Sequence, residues 1–300
     1  LRQQSALALK GAPIEEWTDV HFFRPVGIRI ARALEPTGVS ADQVTLWSLA
    51  VGLVAGHLVV YSSLALNLVG VALFIVSDLF DSADGQLARL RGTSTRLGRV
   101  LDGLSDMVRF LNLYLHLLVR IVVGQGWGWP AGALVLVVIW SHSFQGASVD
   151  FIKNVFLEIG PGDGGETDLP EDLEPGRGAG LFARVAARLY RAYSRRQAMM
   201  FPLTYRLLQA DRRSPLDGTF RERYAERQAP LLPVLTLIAT NIRFALLTAA
   251  IVLGHVWWFL FVTAVPMNLV MAAVILAHER NTAVLVRGIA GSARVPVGAD

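Results

Sequence analysis

Six apolar stretches, at about residues 44–61, 65–89, 98–123, 130–156, 230–253 and 256–278, recur along this chain. Each approaches the roughly 20 residues that an α-helix needs to cross the hydrocarbon core of a bilayer. A backbone in lipid has to satisfy its own hydrogen bonds, which leaves helices as the outlet for stretches of this length. Composition agrees: of 300 residues 53% are hydrophobic and only 17% charged, with a mean hydropathy of +0.45. The expected fold is all-α, a polytopic integral membrane protein with six transmembrane helices. Ahead of them, residues 15–34 interleave Val20, Phe22, Phe23, Val26, Ile30 and Leu34 with Arg24, Arg29 and Arg32. That pattern is too charged to span and predicts an amphipathic helix in the membrane interface, with a break near Pro25.

Charge then orients the chain. The turns at 62–64, 124–129 and 254–255 contain no Lys or Arg, whereas apart from Arg120 the arginines gather at or toward the opposite ends of the stretches. By the positive-inside rule both termini, the 91–96 turn and the long 157–229 connection are cytoplasmic, in a multi-pass protein of a bacterial or archaeal plasma membrane. The same bias, with anionic lipid, accounts for a net charge of +4 and excludes nucleic acid as the expected partner. The absence of cysteine excludes a disulfide framework and thiolate zinc sites. A start at Leu1 followed by polar residues reads as a truncated or processed chain without a secretory signal. The expected units are a cytoplasmic N-terminal segment (1–43), four spans carrying the chemistry (44–156), a cytoplasmic loop and arginine-rich surface helix (157–229), two more spans (230–281) and a tail (282–300).

One polar run interrupts this pattern where the second stretch ends and the third begins. It reads Asp81-x2-Asp84-Gly85-x2-Ala88-Arg89-x8-Gly98-x3-Asp102-x3-Asp106. Helical positions three, four and seven apart share a face, so Asp81, Asp84, Gly85 and Ala88 line one helix and Gly98, Asp102 and Asp106 the next. Antiparallel neighbours joined by the 91–96 turn would bring the four carboxylates into one pocket at the membrane surface. Four like charges at that depth repel and call for cations between them. Oxygen-only ligands favour Mg2+ or Mn2+, with coordination positions left for substrate phosphates. Gly85 and Ala88 leave room for a flat or bulky group against the helix, and Arg89 is placed to clamp a phosphate.

The run resembles the signature of the CDP-alcohol phosphotransferase family, with every fixed position present. The resemblance implies a six-helix membrane enzyme, usually a homodimer, in which an acceptor hydroxyl attacks a CDP-linked alcohol and CMP leaves. It implies Asp81, Asp84 and Asp102 as ligands of two divalent ions, Asp106 as the base and a further contact to metal, and Gly85, Ala88, Arg89 and Gly98 as the nucleotide-facing set. Relatives often carry Pro-Asn where this chain has Ala41-Asp42, while Thr45 is kept. CDP-diacylglycerol with a small polar alcohol is the expected substrate pair. Transfer of a CDP-linked head group to a lipid or inositol-phosphate acceptor is the alternative.

Other polar residues fall inside the apolar stretches. Arg109, Asn112 and His116 continue the face of Asp102 and Asp106, His142 and Gln145 lie on the fourth stretch, and Asn241 on the fifth. Lys153 and Arg243 are candidates for gripping an anionic part of donor or acceptor, against a structural ion pair. Gly52 and Gly56 form a small-xxx-small step expected to mark close helix packing. Two rival classes remain: a membrane prenyltransferase, whose motifs lack the coupled glycines and Ala88-Arg89, and a cation transporter, whose acids would lie near mid-membrane.

Overall fold

A computed structural model describes residues 16–124, 126, 128–160, 167–172 and 180–292. Among these the chain is helical throughout, without strands. A π-helical turn (Asp19–Phe23) leads into α1 (Arg24–Leu34), followed by α2 (Ala41–Leu58), α3 (Leu64–Leu90), α4 (Arg96–Val119), α5 (Gly128–Ile159), α6 (Leu181–Met200), α7 (Pro202–Arg213), α8 (Gly218–Gln228), α9 (Leu232–Leu235), α10 (Thr240–Val252), α11 (Val256–Ala264) and α12 (Pro266–Ser292).

Five stretches of described helix are long and apolar enough to cross a membrane: Leu64–Leu90, Gly98–Gly124, Gly128–Ile159, Gly218–Val252 and Val256–Gly288. The first of the six expected spans, α2, is shorter and more polar. It has 18 residues with Asp42, Gln43 and His57 among them, about 27 Å of helix. Pro25 does not break the N-terminal helix. It sits in the first turn of α1, where a missing N–H costs nothing.

The fifth and sixth stretches are interrupted rather than continuous. Short turns at Ala229–Leu231, Leu232–Leu235 and Thr236–Ile238 precede Ala239, whose extended backbone ends the run before α10. Prolines 230 and 233 supply no N–H to a continuous ladder. The Ile238 carbonyl freed at the break accepts from the Arg243 guanidinium at 3.0 Å. Val265 separates α11 from α12 immediately before Pro266, and Asn268 donates to the Ala264 carbonyl at 2.9 Å.

The single arginine-rich surface helix expected within 157–229 is instead three helices. α7 and α8 bury Phe201, Leu207, Leu208, Phe220 and Tyr224 against the C-terminal half of α5 and against α12. Apolar residues in the α7 and α8 sequences therefore serve a second core, not only a membrane surface. The expected flexible loop over 160–180 lies mostly outside the described residues. Its described part, 167–172, has a short 3-10 turn (Pro170–Asp172) and buries Leu169 in that core.

A separate cluster of Phe74, Leu113, Leu117, Val135, Leu247 and Phe259 joins α3, α4, α5, α10 and α11. A small third cluster of Ala31, Val44, Ala83 and Leu87 ties α1 and α2 to the end of α3. It holds the helix ends that carry the aspartates.

Candidate active site

Local rules set the helix ends. Ser40 starts α2 with a capping box, accepting from Gln43 N at 3.2 Å while its own N–H donates to Gln43 at 2.8 Å. Thr95 starts α4, accepting from Gly98 N at 3.0 Å. Between α3 and α4, Arg91 donates to the carbonyls of Leu34, Glu35, Thr37 and Val39, fastening the turn to the loop after α1. α3 and α4 are not packed along each other as expected of antiparallel neighbours: both pack against α2, which brings the end of α3 and the start of α4 to one site.

Asp81, Asp84 and Asp102 each bring one carboxylate oxygen within 4.8 Å of the others. The Thr45 hydroxyl of α2 donates to Asp84. Asp102 Oδ1 is buried and has no hydrogen-bond partner among the described residues. An orphaned carboxylate oxygen beside two further carboxylates fits a divalent cation, because burying it unpaired is costly.

Asp106 lines the same cavity one turn along α4, but its carboxylate accepts from Arg109. Its side chain is 44% exposed, whereas that of Arg109 is 3% exposed. Arg109 also donates to Asp78 at 3.1 Å and Asp81 at 3.3 Å, and to the hydroxyls of Ser48 at 3.1 Å and Ser77 at 2.6 Å. One guanidinium thus offsets three carboxylates. Asp84 and Asp102 are not among its hydrogen-bond partners.

Two cavities of about 320 Å³ each meet at these acids. Both are lined by Asp84, Gly85, Arg89 and Asp102. The first continues along Asp78, Asp81, Asp106 and Arg109 to Glu16, Asp19 and Asn241, whose side chain donates to Asp19 at 2.9 Å. The second continues along Ala88, Gly98 and Arg99 to Asp168 and Tyr190, so the expected nucleotide-facing set lies together in it. A Cβ added at Gly85 would meet only Arg89, at 3.5 Å. At Gly56 it would collide with Asn112, and at Gly52 it would lie 2.6 Å from Arg109 Cδ. Gly52 and Gly56 are packing glycines, as their spacing predicts; Gly85 faces open space.

Lys153 and Arg243 are not brought to either cavity. Lys153 lies 4.0 Å from Glu16, whose pKa is raised chiefly by burial and lowered in part by that lysine. Arg243 is buried and donates to Gln145 at 2.6 Å as well as to Ile238. Asn112 and His116 also turn away: His116 shares a hydrogen bond of 3.0 Å with His57. His142 pairs with Tyr114 at 2.8 Å.

Several cavity residues escaped the sequence reading. Asp78 has the right helical offset from Asp81 but read equally well as a cap or an ion pair. Thr45 is set by α2 packing, Glu16 and Asp19 by the N-terminal turn. Asp168 and Tyr190 lie in an acid-rich loop and an arginine-rich helix, where nothing in the local pattern marks them.

Residues 39–152 match the family model described as CDP-alcohol phosphatidyltransferase. A phosphatidylinositol phosphate synthase from Mycobacteroides abscessus is 33% identical over 110 residues, which cover 37% of this chain and 47% of that protein. The chain thus spans about half the length of the curated relative it matches.

Proposed function

We propose that this chain, whose residues 39–152 match the CDP-alcohol phosphatidyltransferase family model, transfers a substituted phosphate from a CDP-linked alcohol to an acceptor hydroxyl with release of CMP. The observation that carries the reading is the meeting of two cavities at Asp84 and Asp102, whose carboxylates cluster with that of Asp81. A transfer reaction needs two substrates to reach one reacting atom from different sides. This site offers that arrangement.

In the proposal, Asp81, Asp84 and Asp102 hold Mg2+ or Mn2+, with Asp106 as a further ligand when Arg109 releases it. Bound there, two such ions would neutralise charge on the pyrophosphate as CMP departs. Gly85, Ala88 and Gly98 leave the surface against which the nucleotide lies, and Arg89 contacts its phosphates. Asp106, exposed in the first cavity, takes the acceptor's proton, and its neighbour Arg109 holds the carboxylate in place. Arg109 also fixes the Asp81 side chain, so removing the guanidinium would loosen both carboxylates.

The phosphatidylinositol phosphate synthase relative favours a polyol phosphate acceptor with a CDP-diacylglycerol donor over a free small alcohol. Glu16, Asp19 and Asn241 supply acceptors and a donor for hydroxyls at that end. α2 serves as a sixth span in this reading, with cytoplasmic termini, a site opening to the cytoplasm and two copies forming a homodimer. The test is a radiolabel transfer assay on purified protein with a panel of CDP-alcohols and alcohol acceptors. CMP release dependent on both substrates is expected; none with any pair would refute the proposal.

A further inference from the structure

The second cavity is closed by residues outside the stretch that matches the family. Asp168 and Tyr190 line it together with Gly85, Ala88 and Gly98. Their positions are firmly set. Leu169 is buried in the α5–α7–α8–α12 core, Thr167 N donates to Glu158 at 2.8 Å and Leu169 N donates to Asp172 at 3.0 Å. Arg212 of α7 binds Asp172 at 2.5 Å, lies 3.7 Å from Glu158 and donates to the Thr167 carbonyl. The backbone on both sides of Asp168 is thereby clamped.

The Asp168 side chain is 4% exposed, with Arg99 at 3.6 Å. The Tyr190 hydroxyl points to it at 3.5 Å, and the Tyr190 ring stacks on Tyr193 with centroids 5.9 Å apart. Tyr193 in turn donates to Asp150 at 2.5 Å. An aromatic ring and a carboxylate thus line the same cavity as Gly85, Ala88 and Gly98, residues with little or no side chain. That combination suits a flat heterocycle bearing an amino group: the ring supplies a stacking surface and the carboxylate accepts from the amine.

Resting on the reading of this cavity as the nucleotide's, we propose that Asp168 and Tyr190 read the base of the donor. The Tyr190 ring packs on the base, and Asp168 accepts a hydrogen bond from its exocyclic amino group. A uracil in the same place would present a carbonyl to a carboxylate, acceptor against acceptor. That repulsion, where cytosine offers a hydrogen bond, rejects the analogue without the amino group. Selection of cytidine would then come from the insertion rather than from the helices that carry the chemistry.

The experiment titrates CMP and UMP into the full-length purified protein with Mn2+ present, alongside Mn2+ binding followed by electron paramagnetic resonance. Wild type should prefer CMP. Asp168→Asn, which keeps the shape but presents an amide able to donate, should weaken CMP by roughly tenfold and collapse the preference over UMP. Tyr190→Leu should weaken both nucleotides by a similar factor, and Tyr190→Phe should restore them. Mn2+ binding should be retained in every variant. An unchanged CMP-to-UMP ratio in Asp168→Asn would overturn the proposal, as would equal affinities in Tyr190→Leu and Tyr190→Phe. Wild-type protein that binds Mn2+ but no CMP would instead overturn the nucleotide reading of the cavity. Should Asp168→Asn fail to fold, the Tyr190 pair alone decides.

Discussion

At Asp106 the side chain stands in the first cavity, held by Arg109 rather than by the three clustered acids. The two kinds of aspartate should therefore fail differently. Asp106→Asn keeps the shape but cannot take a proton, and turnover should fall by about 100-fold or more while CMP binding survives. Asp84→Asn should weaken Mn2+ and nucleotide together, since it removes a clustered oxygen. Turnover, Mn2+ affinity and CMP affinity measured on both variants check this, and near-normal turnover in Asp106→Asn would remove the base from the mechanism. The glycines give a second contrast. A Cβ at Gly85 meets only Arg89, and the position lines both cavities, so Gly85→Leu should melt like wild type yet lose CMP, whereas at Gly56 a Cβ already collides with Asn112 and Gly56→Leu should cost about 1–3 kcal/mol of stability. Melting curves and CMP titrations on the pair separate packing from ligand. A destabilised Gly85→Leu with intact affinity would move the nucleotide elsewhere.

At the level of elements, the site depends on how helix ends are fastened. The break before α10 frees the Ile238 carbonyl, and Arg243 bridges it to Gln145 of α5. This explains a buried arginine without recourse to substrate. Arg243→Met should therefore alter thermal stability with little change in KM for either substrate; a large rise in acceptor KM at unchanged stability would return Arg243 to the site. Arg212 does comparable work for residues 167–172, joining Asp172, Glu158 and the Thr167 carbonyl. Arg212→Leu should speed amide exchange at Thr167 and Leu169, whose N–H groups are hydrogen-bonded within this clamp. Unchanged protection at both amides would show that the buried Leu169 alone anchors the segment.

For the whole molecule, the acids that line the first cavity outnumber its arginines, so the assembled site should need its metal. Transfer should cease in excess EDTA and return with Mg2+ or Mn2+, and Ca2+ should inhibit because its looser coordination holds phosphates less well for in-line attack. Full transfer after verified metal removal would sink the metal-dependent reading. Much of this was legible in residue order. The apolar stretches dictate helices because lipid offers the backbone no other partner, and the spacing from Asp81 to Asp106 puts Asp81, Asp84 and Asp102 together once α3 and α4 both pack against α2. Capping by Ser40 and Thr95 and the packing of Gly52 and Gly56 are equally local. Their signals lie within a turn or two of the residue concerned. Tertiary structure alone decided the rest. Arg243 and Lys153 are polar residues in apolar stretches whether they face a substrate or a partner, and only packing showed the partner. Asp168 and Tyr190 reach the second cavity because Leu169, Phe201 and Phe220 bury themselves in a core between distant helices, and contacts that far apart in the chain leave no periodicity to read.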